Sequence, residues 1–130
     1  MEPRIDAVLL WSKVSSLIRA VLAESAVELQ RVCIISMLGW VVVDDRGEPV
    51  APGWTWMYAG SGILPDLSTK LPLRDFEAIA GRRLVSELGA MRLREPESRS
   101  SGSGLTLLSL KDYIKFRLCG EFSTDPVHAA

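Results

Sequence analysis

The amino-acid sequence predicts an α/β domain, and three observations lead to this class. Apolar residues recur at helical spacing over residues 6–26, a nearly continuous apolar run follows at residues 32–38, and a second helical pattern occupies residues 110–118. Helices that alternate with short strands are typical of α/β proteins. A chain of 130 residues is the size of one such domain.

The first predicted helix covers residues 6–26. Its apolar residues lie three and four positions apart, which predicts one face packed against a core. Pro3 and Asp6 suit the start of a helix. The residues of the predicted core face are Leu9, Val14, Leu17, Ile18, Val21 and Leu22.

A central strand is predicted at residues 32–38. This run is almost entirely apolar and lacks the alternation of a strand with one solvated face. Such runs are typical of strands that are buried on both faces. We therefore expect residues 32–38 to lie in the middle of the sheet.

A β-hairpin is predicted directly after this strand. Residues 40–43 are rich in β-branched side chains, and the Asp-Asp-Arg-Gly sequence at residues 44–47 is a turn signal. Residues 48–56 would form the return strand. Pro49 and Pro52 have no N–H to donate to a ladder, so the return segment should lie at a sheet edge or be largely irregular.

The second half of the chain contains weaker helical patterns and one strong one. A patch at residues 76–80 ends before Gly81, and a patch at residues 84–93 is halted by Pro96. Residues 97–104 are rich in Ser and Gly and predict a surface loop. The final helix, residues 110–118, is followed by a Cys-Gly stop signal.

Charge and cysteine content exclude several classes of protein. Fifteen basic and 16 acidic residues leave a net charge of -1, so no long-range field would attract nucleic acid or an anionic membrane. Cys33 and Cys119 are predicted to be reduced and buried rather than joined in a disulfide scaffold. The chain shows no signal-peptide pattern and no apolar run long enough to span a membrane, so we expect a cytoplasmic location.

Few residues suggest catalysis or metal binding. Asp44 and Asp45 could hold a metal ion, but their place in a predicted turn explains them better. His128 is the only histidine and has no acid or nucleophile beside it in the sequence, so no catalytic triad is predicted. We therefore predict neither a catalytic residue nor a metal site within these residues.

Three tryptophans fall in the predicted hairpin, and they allow two interpretations. Trp40, Trp54 and Trp56 either fill the core or form a flat platform for a sugar or a base. Large aromatic side chains are mostly buried on average, which favours core filling. Met37, at the end of the predicted central strand, is likewise interpreted first as a packing residue.

Three segments carry a more specific signal. Residues 33–44 read Cys-Ile-Ile-Ser-Met-Leu-Gly-Trp-Val-Val-Val-Asp, and residues 45–56 read Asp-Arg-Gly-Glu-Pro-Val-Ala-Pro-Gly-Trp-Thr-Trp. Residues 108–125 contain Lys-Asp-Tyr, Arg-Leu-Cys-Gly-Glu and Thr-Asp. Together with Arg-Glu-Pro-Glu at residues 94–97, these segments resemble the first domain of the FGGY carbohydrate kinases, the family of xylulokinase, gluconokinase and glycerol kinase. Cys119 stands where the family usually has Thr.

The resemblance implies a function and a fold. The function is ATP-dependent phosphorylation of a sugar or polyol hydroxyl, and the fold is actin-like (ribonuclease-H-like), with a mixed sheet flanked by helices. Residues 1–130 would be a single partial first domain that lacks the family's phosphate-binding hairpin and its whole second domain. ATP and Mg²⁺ serve the full-length family, and we expect this chain to bind neither by itself, because the catalytic base and the phosphate loop are missing from it.

The resemblance also implies two substrate-binding residues, Met37 and Trp56, which would face the sugar. Leu38 stands where the family often has His, and residues 57–60 lack the Asp and Arg that commonly follow the Trp. Both departures remove polar groups that would contact a sugar.

Two hypotheses therefore stay open. The chain is an inactive piece of a carbohydrate kinase, or it is a non-catalytic remnant that acts as a sugar-binding or protein-interaction module. The expected partner is a sugar or polyol, with no nucleic acid and no membrane. Sheet edges left exposed by a partial domain also predict self-association.

Overall fold

The computed structural model describes residues 4–25, 28–36, 39–58, 73–81, 89–92 and 104–125. The strands within these ranges form one antiparallel sheet in the order β1-β3-β2-β4. They are β1 (Arg4–Ile5), β2 (Gly39–Val43), β3 (Gly53–Thr55) and β4 (Thr106–Ser109). The helices of the described residues are α1 (Ala7–Glu24), α2 (Leu73–Ala80), α3 (Gly89–Arg92) and α4 (Leu110–Cys119).

The combination of helices and sheet confirms the predicted α/β class at a coarse level. The mixed sheet implied by the resemblance is not seen in the described part of the chain, where each strand pairing is antiparallel. Antiparallel strands can be joined by a short connection, here residues 44–52 between β2 and β3, whereas parallel strands need a longer crossover.

Helix α1 begins and ends close to its predicted bounds. The Asp6 carboxylate caps its first turn by accepting the Leu9 N–H at 2.9 Å. The predicted core face is wrong in part, because four of its residues are exposed: Leu9, Leu17, Val21 and Leu22. Among the described residues, the core packs against the first half of the helix, through Ala7 and the partly buried Leu10, Trp11 and Val14.

The central strand lies later in the chain than predicted. All five residues of β2, Gly39–Val43, are buried, whereas residues 28–36 contain no regular secondary structure and Ile35 is 89% exposed. The predicted strand at residues 32–38 is therefore wrong over residues 32–36, and its last two residues lie outside the described ranges. A central strand needs a partner on each side, and the ladders of β2 with β3 and β4 begin only at residues 39 and 40.

The predicted hairpin is confirmed. In its turn the Asp44 carboxylate accepts the N–H groups of Arg46 and Glu48, both at 2.9 Å, so this residue stabilises the turn as expected. The return segment is largely irregular up to the three residues of β3. Within the described sheet, β3 lies between β1 and β2 rather than at an edge.

The core lies on both faces of the sheet because residues of β2 alternate between them. Val41 and Val43 pack with α1, β4 and α4, while Trp40 and Val42 pack with Trp54 on the opposite face. The prediction that the hairpin tryptophans fill the core is therefore confirmed for Trp40 and Trp54. It is wrong for Trp56, which is 48% exposed.

The other helical predictions agree with the described residues. Helix α4 begins at the predicted residue, with Ser109 as its N-cap, and ends at Gly120, which has the left-handed φ of 75°. Helix α2 matches the patch that ends before Gly81. Within the patch predicted at residues 84–93 the structure describes only α3, and the Ser- and Gly-rich segment before Gly104 lies outside the described residues.

Candidate functional site

An open cavity of about 510 Å³ lies beside the sheet, between α1, the irregular residues 32–36, the end of β3 and α4. Its described wall is mainly apolar. The size falls within the range of small-molecule sites, about 300–1,000 Å³. The apolar lining residues include Ile5, Leu10, Val14, Ile34, Ile114 and Leu118.

Trp56, one of the two predicted substrate-binding residues, lines this cavity and is 48% exposed. It differs from Trp54, two residues earlier, which is fully buried on the opposite face of the sheet. The chain turns immediately after β3, where the Tyr58 N–H donates to the Thr55 carbonyl at 3.1 Å. This turn breaks the alternation of the strand and leaves the Trp56 indole on the cavity wall.

The turn that carries Trp56 is held in place by Tyr58. The Tyr58 carbonyl accepts a hydrogen bond from the buried Arg92 guanidinium at 2.9 Å. The guanidinium groups of Arg92 and Arg4 also lie over the Tyr58 ring, 4.8 and 4.7 Å from its centre. The indole of Trp56 is thus attached to a fixed support.

Met37, the other predicted substrate-binding residue, lies outside the described residues.

Polar groups on the described cavity wall are few. They belong to Ser36, Thr55 and Lys111, together with the thiol of Cys33. The Ser36 hydroxyl oxygen is buried and has no hydrogen-bond partner among the described residues. A buried hydroxyl without a partner costs about 1–3 kcal/mol. This oxygen has almost no accessible surface, so a ligand in the cavity does not reach it in this conformation.

Lys111 connects the cavity to a cluster of charged and hydroxyl groups at the start of α4. Its ammonium nitrogen lies 2.5 Å from a carboxylate oxygen of Asp112 and 2.5 Å from one of Asp125. The other Asp112 oxygen accepts the hydroxyls of Ser109 at 2.7 Å and Thr124 at 2.8 Å. The carboxylate of Asp112, only 4% exposed, therefore has three side-chain donors.

Opposing effects set the pKa values of this cluster. Burial raises the pKa of Asp112, but hydrogen bonds from Lys111, Ser109 and Thr124 outweigh it and hold the pKa below the ordinary value of 3.8. Burial lowers the pKa of Lys111, but its bonds to Asp112 and Asp125 raise the pKa above 10.5. Both groups are therefore charged at neutral pH.

The cluster brings together two parts of the third resembling segment. The Lys-Asp pair lies at the start of α4, and the Thr-Asp pair lies after the helix, in residues 121–125. This segment returns along α4, where the Lys115 ammonium donates to the Ser123 hydroxyl and Phe122 stacks on Phe116 at 4.4 Å. These contacts bring the Thr-Asp pair to the Lys-Asp pair, of which Lys111 lines the cavity.

Sequence reasoning missed Lys111, Asp112 and Asp125 as candidate site residues. One local signal was available, because Ser109 and Asp112 have the spacing of a capping box. Nothing local indicates that residues 124 and 125 return to the start of the helix, since that contact depends on tertiary structure.

The prediction for the cysteines is wrong in one respect. Cys33 and Cys119 are both free, but both are exposed rather than buried. Cys33 lies in the irregular segment that forms the cavity wall, and Cys119 ends α4, where its thiol donates to the Lys115 carbonyl at 3.2 Å. Each was expected to be buried because its sequence surroundings are apolar, and neither surrounding element is fully covered.

Among the described residues, no three His, Cys, Asp or Glu side chains are grouped so that they could hold a metal ion. No helix within the described ranges is both long enough and apolar enough to cross a bilayer.

No protein-family model matches the chain, and no curated protein matches it significantly.

Proposed function

We propose that this chain is part of the first lobe of an FGGY carbohydrate kinase, an enzyme that transfers phosphate from ATP to a sugar or polyol hydroxyl. In this proposal the chain supplies part of the wall around the sugar and is inactive by itself. The carrying observation is that all three resembling segments contribute to one cavity. Cys33 and Ser36 come from the first segment, Trp56 from the second and Lys111 from the third.

The cavity wall supports this proposal through its chemistry. An exposed indole offers a flat apolar surface for the C–H face of a sugar ring. The Lys111 ammonium offers a hydrogen bond to a sugar hydroxyl from within a mainly apolar wall. Sites of this kind combine an apolar lining with a few convergent polar groups.

The proposed fold of the whole enzyme is the actin-like one. The described α/β architecture is compatible with it at the level of fold class. The mixed part of the sheet would come from strands beyond those described.

The proposal assigns no catalytic step to these residues, because the catalytic base and the phosphate loop that the resemblance implies for the family are not among them. Phosphoryl transfer depends on such groups for positioning and charge neutralisation. The proposed role of the chain is limited to binding.

A second candidate is a non-catalytic module that binds a sugar or another protein. The mainly apolar lining of the cavity favours it, because sugar sites usually present more polar groups than the three found here. Exposed apolar residues beside the cavity, such as Met57 and Val32, also suit a contact with protein.

Isothermal titration calorimetry with D-xylulose, D-gluconate and glycerol tests sugar binding, and a coupled assay with ATP and Mg²⁺ tests turnover. We expect measurable binding of at least one compound and no turnover by the chain alone. Trp56→Ala should weaken that binding by roughly tenfold or more, about 1.4 kcal/mol, since it removes the exposed indole surface on which the sugar would pack. Ile79→Ala is the matched control, because this apolar residue is 89% exposed and lies on α2, away from the cavity.

The outcomes separate the candidates. Sugar binding that depends on Trp56 supports the kinase wall, and no binding of any of the three compounds contradicts it. Binding that is unchanged in both variants would place the sugar elsewhere. Coding sequence around these residues that encodes an Asp-x-Gly-Thr hairpin before them and a second domain after them would favour the kinase over the remnant.

A further inference from the structure

Helix α1 carries an exposed stripe of side chains along one side. Its members are Lys13, Leu17, Ala20, Val21 and Glu24, and their spacing of three and four positions places them on neighbouring turns of the helix. All five are exposed, including the two large apolar ones, Leu17 at 65% and Val21 at 57%. Exposed apolar side chains bordered by charged ones are typical of a contact surface.

The two ends of the stripe carry opposite charges. Lys13 lies at one end and Glu24 lies 11 residues later at the other. Eleven residues make about three helical turns, so the two charges share one side of the helix and lie about 16 Å apart along its axis. Neither forms an ion pair with another described residue. Both charges are therefore available to a partner.

Between the two charges the stripe is apolar. Leu17 and Ala20 form its centre, and Val21 borders them. From Leu17 and Val21 the apolar surface continues into an open groove of about 280 Å³, which Leu29 and Val32 also line. Burial of such surface is the main favourable contribution to the association of proteins.

This stripe is complementary to itself in one orientation. When two copies of α1 pack antiparallel about a two-fold axis between residues 18 and 19, Lys13 of each copy lies opposite Glu24 of the other. In the same register Leu17 lies opposite Ala20, so a large side chain meets a small one. The two-fold symmetry repeats each contact, which gives two ion pairs around one apolar centre.

The same charges disfavour the parallel orientation. Two parallel copies in register would place Lys13 beside Lys13 and Glu24 beside Glu24. Like charges across an interface weaken it, and charged side chains beside an apolar seam set the orientation of paired helices. The charge pattern therefore selects the antiparallel pair.

We propose that α1 binds a second copy of this chain in antiparallel orientation, with Leu17 and Ala20 at the centre and the Lys13–Glu24 pairs setting the register. The inference goes beyond the proposed function and does not depend on it. The paired region, residues 13–24, is only about 18 Å long. A contact of this length is at the small end of protein interfaces, so we expect a dissociation constant of roughly 1–100 µM.

Sedimentation equilibrium of the unaltered chain tests the proposed dimer. We expect the mass to rise with concentration to twice that of one chain and to stop there, because a two-fold contact uses the same surface of both copies and closes. A chain that stays monomeric up to about 100 µM overturns the proposal. Growth beyond the dimer also overturns it.

Charge reversal tests the register. Lys13→Glu and Glu24→Lys each turn two attractive contacts into two repulsive ones, so we expect each variant to dimerise roughly tenfold more weakly or worse. An equimolar mixture of the two variants restores opposite charges at both ends. We expect the mixture to dimerise about as tightly as the unaltered chain, and a mixture that stays as weak as its components overturns the register.

Arg19→Glu is the matched control. It makes the same change of charge as Lys13→Glu, but Arg19 is exposed about 120° around the helix from Lys13, outside the stripe. We expect it to leave the dissociation constant unchanged, with circular dichroism showing that all variants keep their helical content. Equal weakening by Arg19→Glu and Lys13→Glu overturns the proposal.

The single variants also distinguish the two orientations. In a parallel pair, Lys13→Glu and Glu24→Lys would each exchange one like-charge contact for another and leave the affinity unchanged. An unchanged affinity in both variants therefore overturns the antiparallel register.

Discussion

At the scale of single residues, Asp112 is the group whose surroundings are most completely arranged. Its carboxylate accepts hydrogen bonds from Ser109, Thr124 and Lys111, and it is almost fully buried. A buried charge is tolerated only when it is paired and hydrogen-bonded. Asp112 therefore stabilises the start of α4 and also holds the return segment, residues 121–125, against it.

Asp112→Asn should reduce the free energy of unfolding at pH 7 by about 1.5–3 kcal/mol, the usual contribution of hydrogen bonds to a charged group. The folded pKa of Asp112 is lowered, so its contribution is complete above the unfolded value of about 3.8 and is lost as pH falls through the folded pKa. The difference between the two proteins should thus shrink below pH 4, as measured by urea unfolding from pH 7 to pH 2. Lys111 behaves oppositely, because its raised pKa makes its contribution disappear only as pH rises above 10.5.

The control for this experiment is Asp45→Asn, which should change stability by less than about 0.5 kcal/mol. A stability difference between the unaltered protein and Asp112→Asn that stays constant from pH 7 to pH 2 would contradict the assigned ion pair.

At the scale of elements, the β2–β3 hairpin is attached to α4 by its turn. Gly47 has a left-handed φ of 80°, and a Cβ there would lie 1.9 Å from Cε1 of Phe116. Glu48 accepts a hydrogen bond from the Arg117 guanidinium at 2.9 Å. Tight packing of the turn on Phe116 thus explains why this position of the hairpin holds glycine.

Gly47→Ala and Gly120→Ala separate backbone strain from packing. Both glycines have positive φ, at 80° and 75°, but a Cβ at Gly120 would meet no atom within 4 Å. Gly120→Ala should cost about 1–2 kcal/mol from strain alone. Gly47→Ala should cost at least about 1 kcal/mol more, because Phe116 must move. Urea unfolding measures both, and equal costs would show that the turn does not pack on α4.

At the scale of the whole molecule, the described apolar residues are not fully covered. The second half of α1 exposes several of them, including Leu17 at 65% and Val21 at 57%. The edge strands of the described sheet are β1 and β4. Exposed apolar surface and unpaired strand edges both promote association.

We therefore expect the isolated chain to self-associate as its concentration rises, as measured by light scattering. Replacing Leu17 and Val21 together by Lys should shift the protein towards the monomer without loss of helical content, because Lys is a good helix former. The control, Ile79→Lys, changes an isolated exposed residue and should not alter association. A monomer of constant mass up to about 100 µM, well above typical micromolar dimer affinities, would contradict the prediction.

The candidate site was only partly predictable from the sequence. The resemblance singled out Trp56, and the structure places its indole on a cavity wall. Lys111, Asp112 and Asp125 were not singled out, because their common feature is the contact between residues 111 and 125 rather than a local pattern. Sequence spacing cannot show that a segment after a helix returns to the start of that helix.

The sequence by itself determined the elements whose signals are local. These are α1 and α4 with their approximate bounds, the turn at Asp44, and the hairpin whose first strand is β2. Periodicity, capping residues and turn chemistry act over a few residues, so they can be recognised without any knowledge of the fold. Only the tertiary structure decided that the central strand begins at Gly39 rather than at Val32, and which half of α1 packs on the core. A strand that is buried on both faces needs partners distant in the chain, and for β2 these include β3, β4, α1 and α4. No single stretch of sequence contains that information.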